Sequence, residues 1–289
     1  MQFDTMYYKH AEYQPIWQFM AFTHSYSNFL RRQLILSLTA LLLAISGCSI
    51  NKLVHGSHYV HRVYQHPAAK AAQDQSIAVV FIEGDGIPWV THGTKPAADP
   101  TPNHALARNL FTHTTYASWY VTRPCYNRPN DLVCEPNVWT HGRYSAQVAE
   151  SMASVINDQI ESSSARRVVL VGYSGGGTLA VLIAAHINHL AGVITIAANL
   201  DTLAWTTLHA YEPLTNSLNP VDSASLAVPH LAYVGDRDLN VPYPSIAGFV
   251  ETHPQTIIEH VSTYDHVCCW EKNWPVLLNT ALAKMQIIR

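Results

Sequence analysis

The sequence predicts an α/β domain, a mostly parallel central sheet with helices on both faces. Three observations carry that expectation. Short β-branched and aliphatic runs recur at 76–82, 168–171, 192–197, 231–234 and 257–261, the pattern of strands buried on both faces. A helical spacing lies between two of them, with Val148, Met152, Val155, Ile156 and Ile160 on one face. At 289 residues and 48% hydrophobic content, the chain is long enough for one full core.

Composition narrows the function. Net charge is −3, only 13% of residues are charged and no basic stripe is present, which argues against nucleic-acid binding. The 17 histidines are scattered. No His-x-x-x-His or Cys-x-x-Cys spacing occurs, and His55, His58 and His61 recur without an acidic or Cys partner beside them, so neither metal nor cofactor is expected.

Arg31-Arg32 precede an apolar run at 34–46. At about thirteen residues it is short for a membrane span but suits the core of an export signal. The run ends in Ile45-Ser46-Gly47-Cys48, which resembles the bacterial lipobox. That resemblance implies cleavage before Cys48, lipid on its thiol, and a membrane-anchored place in the bacterial cell envelope, facing the periplasm or on the outer membrane. A signal site with an incidental cysteine, or a short membrane anchor, is the alternative. Residues 1–30 are aromatic-rich without periodicity, and Met20 offers an alternative start. The expected organisation is therefore an extension and signal at 1–48, a linker with an edge strand near 58–64 at 49–75, and the α/β domain at 76–289.

Within the domain, the strand at 76–82 runs directly into Glu83-Gly84-Asp85-Gly86. A Pro-punctuated loop leads to a helix at 104–111 and a strand at 118–122. Cys125 and Cys134 bracket a Pro/Asn-rich loop, and in an exported chain they are expected to form a local disulfide. The helix at 144–163 then crosses to the strand at 168–171, followed by Gly172-Tyr173-Ser174-Gly175-Gly176 and an apolar helix to Ala185. A serine on so sharp a strand-to-helix turn points to a nucleophile, with glycines where side chains would collide; the alternative is an ordinary tight turn. The segment 202–225 lacks clean periodicity, and its Trp205 and His209 either line a pocket or pack in the core.

In order and motif, residues 76–289 resemble the α/β-hydrolase superfamily of esterases, lipases and acyl-transfer enzymes. The resemblance rests on Gly172-Tyr173-Ser174-Gly175-Gly176, on the Gly-x-x-Asp run ending at Asp238, and on a late His. It implies Ser174 as nucleophile, Asp238 as acid and His266 as base, with the amides of Asp85 and Gly175 forming an oxyanion hole. Asp201 and Asp236 are alternative acids, and His260 is an alternative base. Glu83 stands where the family carries His, a departure in the oxyanion loop. Cys268-Cys269, beside the base, form either a vicinal disulfide or two buried thiols. The implied activity is hydrolysis of carboxylic esters or lipids through an acyl-enzyme. An acyltransferase, thioesterase or peptidase on the same triad, or a non-catalytic surface lipoprotein of this fold, is the alternative.

Overall fold

The computed structural model describes residues 50–66, 76–127 and 132–288. The expectations for the signal run and Cys48 lie outside the described residues. Eight strands form one sheet: β1 (Ile50–His55), β2 (Val60–His66), β3 (Ile77–Ile82), β4 (Ala117–Val121), β5 (Arg167–Tyr173), β6 (Leu190–Ile196), β7 (His230–Gly235) and β8 (Ile257–Val261). Their spatial order is β1-β2-β4-β3-β5-β6-β7-β8, with β1, β2 and β4 paired antiparallel and all the other pairs parallel.

Burial on both faces explains the near-continuous apolar strands. Along β3, Ala78, Val80 and Ile82 join one core layer, while Ile77, Val79 and Phe81 join the other. The first layer is closed by α2 (Ala146–Glu161) and α3 (Gly175–Ile183), and the second by α1 (Leu106–Thr112) and α6 (Trp274–Lys284). Two shorter helices, α4 (Thr202–Leu208) and α5 (Ala247–Thr252), follow β6 and β7 in the chain. Helix α2 starts where expected because Ser145 caps it, its hydroxyl accepting the Val148 amide at 3.3 Å. The strand order reverses beside β3, which pairs with β4 on one side and β5 on the other. In doubly wound sheets that reversal opens a crevice at the strands' C-terminal ends.

One boundary differs from the sequence reading. Residues 50–66, expected as linker with one edge strand, form the two strands β1 and β2 of the main sheet. The edge is β1, while β2 lies inside, registered against β4 from Val63↔Val121 to His66↔Ser118. His61 makes β2 look more polar than its surroundings are. It is fully buried, with its ring nitrogens 2.8 Å from the Thr122 carbonyl oxygen and 2.9 Å from Ser151 Oγ. His58 faces Glu150 instead, so the histidine run converges on no common point. Helix α6 was not anticipated, although Trp274, Leu278, Ala281 and Leu282 recur at helical spacing and are buried.

Candidate active site

Ser174 sits between β5 and α3 with φ at 50°, a left-handed conformation that costs a non-glycine residue of order 1–3 kcal/mol. The turn is held by the Ser174 amide donating to the Ile196 carbonyl at 2.9 Å and by Gly177 donating back to Ser174 at 2.9 Å. A side chain at position 172 would collide with the backbone of Gly176, so the turn requires glycine there.

The loop after β8 carries His266, whose Nε2 lies 3.1 Å from Ser174 Oγ. Its Nδ1 lies 2.8 Å from Oδ2 of Asp238, in the loop after β7. Asp238 is buried, and its other oxygen accepts the amides of Asn240 and Val241, each at 2.8 Å. An ionised carboxylate is acceptor-only, so Nδ1 carries the proton and Nε2 presents its lone pair to the serine. The His266 loop is itself pinned. Asp265 Oδ1 accepts the Val267 and Cys268 amides at 2.8 and 2.6 Å, and the fully buried Trp270 donates its indole N–H to the Asp265 carbonyl at 3.1 Å. Those two backbone amides hold the Asp265 carboxyl below its ordinary range. Cys268 and Cys269, next to this loop, are bonded to each other, and Cys125 is bonded to Cys134 with their Cα atoms 5.6 Å apart.

The structure gives the alternative residues other roles. Asp201 caps α4, its Oδ1 accepting the Leu203 and Ala204 amides at 3.1 Å each. Asp236 and His260 face each other at 2.7 Å on the exposed surface.

The Glu83–Gly86 loop passes directly over the serine. A Cβ at Gly84 would stand 3.2 Å from Ser174 Cβ. Among the described residues, neither the Asp85 nor the Gly175 amide donates to another protein group. Glu83, which stands where His was expected, directs its carboxylate to the start of α1. Its carboxylate accepts the Gly84 amide at 3.1 Å, the Ala107 and Arg108 amides at 3.3 Å, and the Tyr120 hydroxyl at 3.3 Å. It therefore ties the loop to the start of α1. Burial pushes its carboxyl up despite those bonds.

Reading the sequence missed what holds Asp85. Its carboxylate is bound by Arg123, by Arg143 at 2.9 Å and by the Tyr144 hydroxyl at 2.7 Å, while Tyr126 donates to its carbonyl at 2.6 Å. Burial would raise this carboxyl, but the Arg143 and Arg123 guanidiniums outweigh it and hold it far below the usual range. Both arginines are buried, and the Arg123 Nη2 also donates to the Arg143 carbonyl at 2.8 Å. A side chain at Gly175 would collide with this same carboxylate, so the charge cluster packs directly behind the α3 terminus. Nothing in local spacing reveals this. The four partners come from the long connection between β4 and α2, only Tyr126 from the part closed by the Cys125–Cys134 disulfide, and they converge only in three dimensions.

A cavity of about 760 Å³ opens over Ser174 and His266, walled by Trp89, His141, Arg143, Trp205, Tyr211 and Leu214. Trp205 thus lines the pocket. His209 stands behind it, stacked on Tyr211 at 5.2 Å. Among the described residues, no cluster of three or more His, Cys, Asp or Glu is arranged to hold a metal. No helix among them is long and apolar enough to cross a membrane.

No family model matches the chain, and no curated protein sequence matches it. Solved structures do. An esterase from Pyrococcus furiosus superposes with a TM-score of 0.59 at 10% identity, covering 83% of this chain and 92% of its own. A serine hydrolase without a lid from Xanthomonas campestris gives 0.54 at 11%, covering 82% and 94%. An α/β serine hydrolase homologue from Coxiella burnetii gives 0.51 at 16%, covering 81% and 96%. Likeness at such identities speaks for architecture, and together with the strand order it shows that the chain has the α/β-hydrolase fold.

Proposed function

We propose that the protein is a serine hydrolase that cleaves carboxylic esters, including lipid esters, through an acyl-enzyme on Ser174. The observation that carries this reading is the Ser174–His266–Asp238 relay, at 3.1 and 2.8 Å, opening onto a cavity. In this mechanism His266 Nε2 takes the Ser174 hydroxyl proton as Oγ bonds to the substrate carbonyl carbon. The carbonyl oxygen becomes an oxyanion held by the Asp85 and Gly175 amides at the positive end of α3. His266 passes the proton to the departing alkoxide. Water then adds to the acyl-enzyme, with His266 again as base, and Ser174 is released with the carboxylic acid. Asp238 keeps the imidazole tautomer correct and stabilises the imidazolium that forms.

The strained φ at Ser174 and the doubly anchored acid support an assembled site. The aromatic wall of Trp89, Trp205 and Tyr211 suits an apolar acyl or alcohol group. We further propose that the domain acts at the bacterial cell envelope, tethered by lipid on Cys48, on the strength of Ile45-Ser46-Gly47-Cys48 and the apolar run before it. The test of the activity is a screen of p-nitrophenyl esters of graded chain length. Turnover by the wild type that is lost in Ser174→Ala is expected. Equal turnover in that variant would overturn the assignment. For the anchor, incorporation of labelled palmitate that disappears in Cys48→Ala is expected, and unchanged incorporation would refute it.

A further inference from the structure

The lone pair on His266 Nε2 is claimed twice. Ser174 Oγ stands 3.1 Å from it, and Asn240 Nδ2 stands closer, at 3.0 Å. With the Nδ1 proton directed to Asp238, Nε2 has one acceptor position, and only the NH₂ end of the Asn240 amide can partner it. Two donors therefore converge on one acceptor position.

The convergence is built in. The Asn240 backbone is fixed on both sides. Its amide donates to Asp238 Oδ1 at 2.8 Å, and its carbonyl accepts the Trp205 indole N–H at 3.0 Å and lies 2.7 Å from His209 Nε2. The residue thus bridges the acid, the base and the pocket wall, with its carboxamide placed at the one atom that must receive the serine proton. Neither the relay nor the oxyanion hole uses this contact.

We infer that Asn240 is a positioning residue that restrains the base, its side-chain amide withholding His266 Nε2 from Ser174. The inference rests on the hydrolase reading of Ser174 and His266. Removing the donor frees the lone pair for the serine and makes the resting nucleophile more reactive.

The experiment compares wild type with Asn240→Leu, which keeps the side-chain shape without the donor, and with Asn240→Ala. The second-order rate of fluorophosphonate labelling is read on protein shown to be folded by its thermal transition. Both variants are expected to label about two- to tenfold faster, the population ratio that one net hydrogen bond sets. An unchanged or lower rate in folded variants overturns the inference. A second readout needs neither turnover nor a variant at position 240. In wild-type protein, ¹⁵N spectra are expected to show one Asn240 side-chain amide proton shifted downfield, and to lose that shift in His266→Leu. An ordinary Asn240 signal in wild type also overturns the inference. Complete absence of wild-type labelling would instead count against the hydrolase reading, while the amide signal still decides whether Asn240 donates.

Discussion

Two carboxylates flank Ser174, Asp238 buried and Asp85 partly so, and they are neutralised in opposite ways. Asp85 faces two guanidiniums and a phenol, so its charge is permanently compensated. Asp238 has two backbone amides and the His266 imidazole. The first arrangement suits a scaffold, because a fixed ion cluster anchors the loop that carries the Asp85 amide. The second suits chemistry, because the imidazole that faces it can gain and lose a proton. What separates the two carboxylates is the opposing charge, fixed in the guanidiniums at Asp85 and able to change in the imidazole at Asp238.

Breaking each carboxylate should separate the two roles. Asp238→Asn is expected to lower ester turnover on the order of 10⁴-fold, the scale set by wrong-tautomer variants of serine proteases, with little change in thermal midpoint. Asp85→Asn should act mainly on stability. It leaves Arg123 and Arg143 buried without their anion, a loss on the order of 3–5 kcal/mol measurable by urea unfolding. Similar turnover losses in both variants, with equal unfolding midpoints, would erase the distinction.

The same contrast has a consequence in pH. The Asp85 carboxyl lies lower folded than unfolded, so its stabilisation is complete above the unfolded value of about 4 and drains away as pH falls below it. Buried His230 works earlier. Burial, with His253 nearby, depresses it to about 3. Below its ordinary value of about 6.5 the unfolded chain binds a proton that the folded chain does not, so stability should fall by about 1.4 kcal/mol per pH unit down to about 3. Unfolding free energies measured between pH 7 and 4 should show this slope in wild type and a flatter one in His230→Gln. Equal slopes would remove His230 from the account.

A smaller effect concerns the disulfide-closed loop that supplies Tyr126. Replacing Cys125 and Cys134 by Ser together should cost about 2–3 kcal/mol, the entropy of closing a short loop, read as a lower unfolding midpoint. Turnover per folded molecule should stay within a few-fold of wild type.

The parts of the site that lie on regular strands and their exit loops were legible in the sequence. Strand β5, the glycines around Ser174, and Asp238 and His266 after later strands announce themselves through apolar runs and turn residues, and the structure brings those three side chains together. Arg123, Arg143 and Tyr144 carry no such signature, because their importance depends on convergence across a loop rather than on spacing. Glu83 looked like a defect in the oxyanion loop, since a single position does not show that its side chain points back to α1. Strand β1 is not legible in the sequence, and β2 reads as an edge strand rather than an inner one, because polar residues such as Lys52 and Arg62 break the apolar run that marks the inner strands.

The central claim, an activated serine at position 174, is tested most directly by fluorophosphonate labelling followed by peptide mapping. The account predicts one probe per folded molecule, on Ser174, and none on Ser174→Ala. A folded wild-type protein that takes up no probe, or takes it up equally in Ser174→Ala, would contradict it.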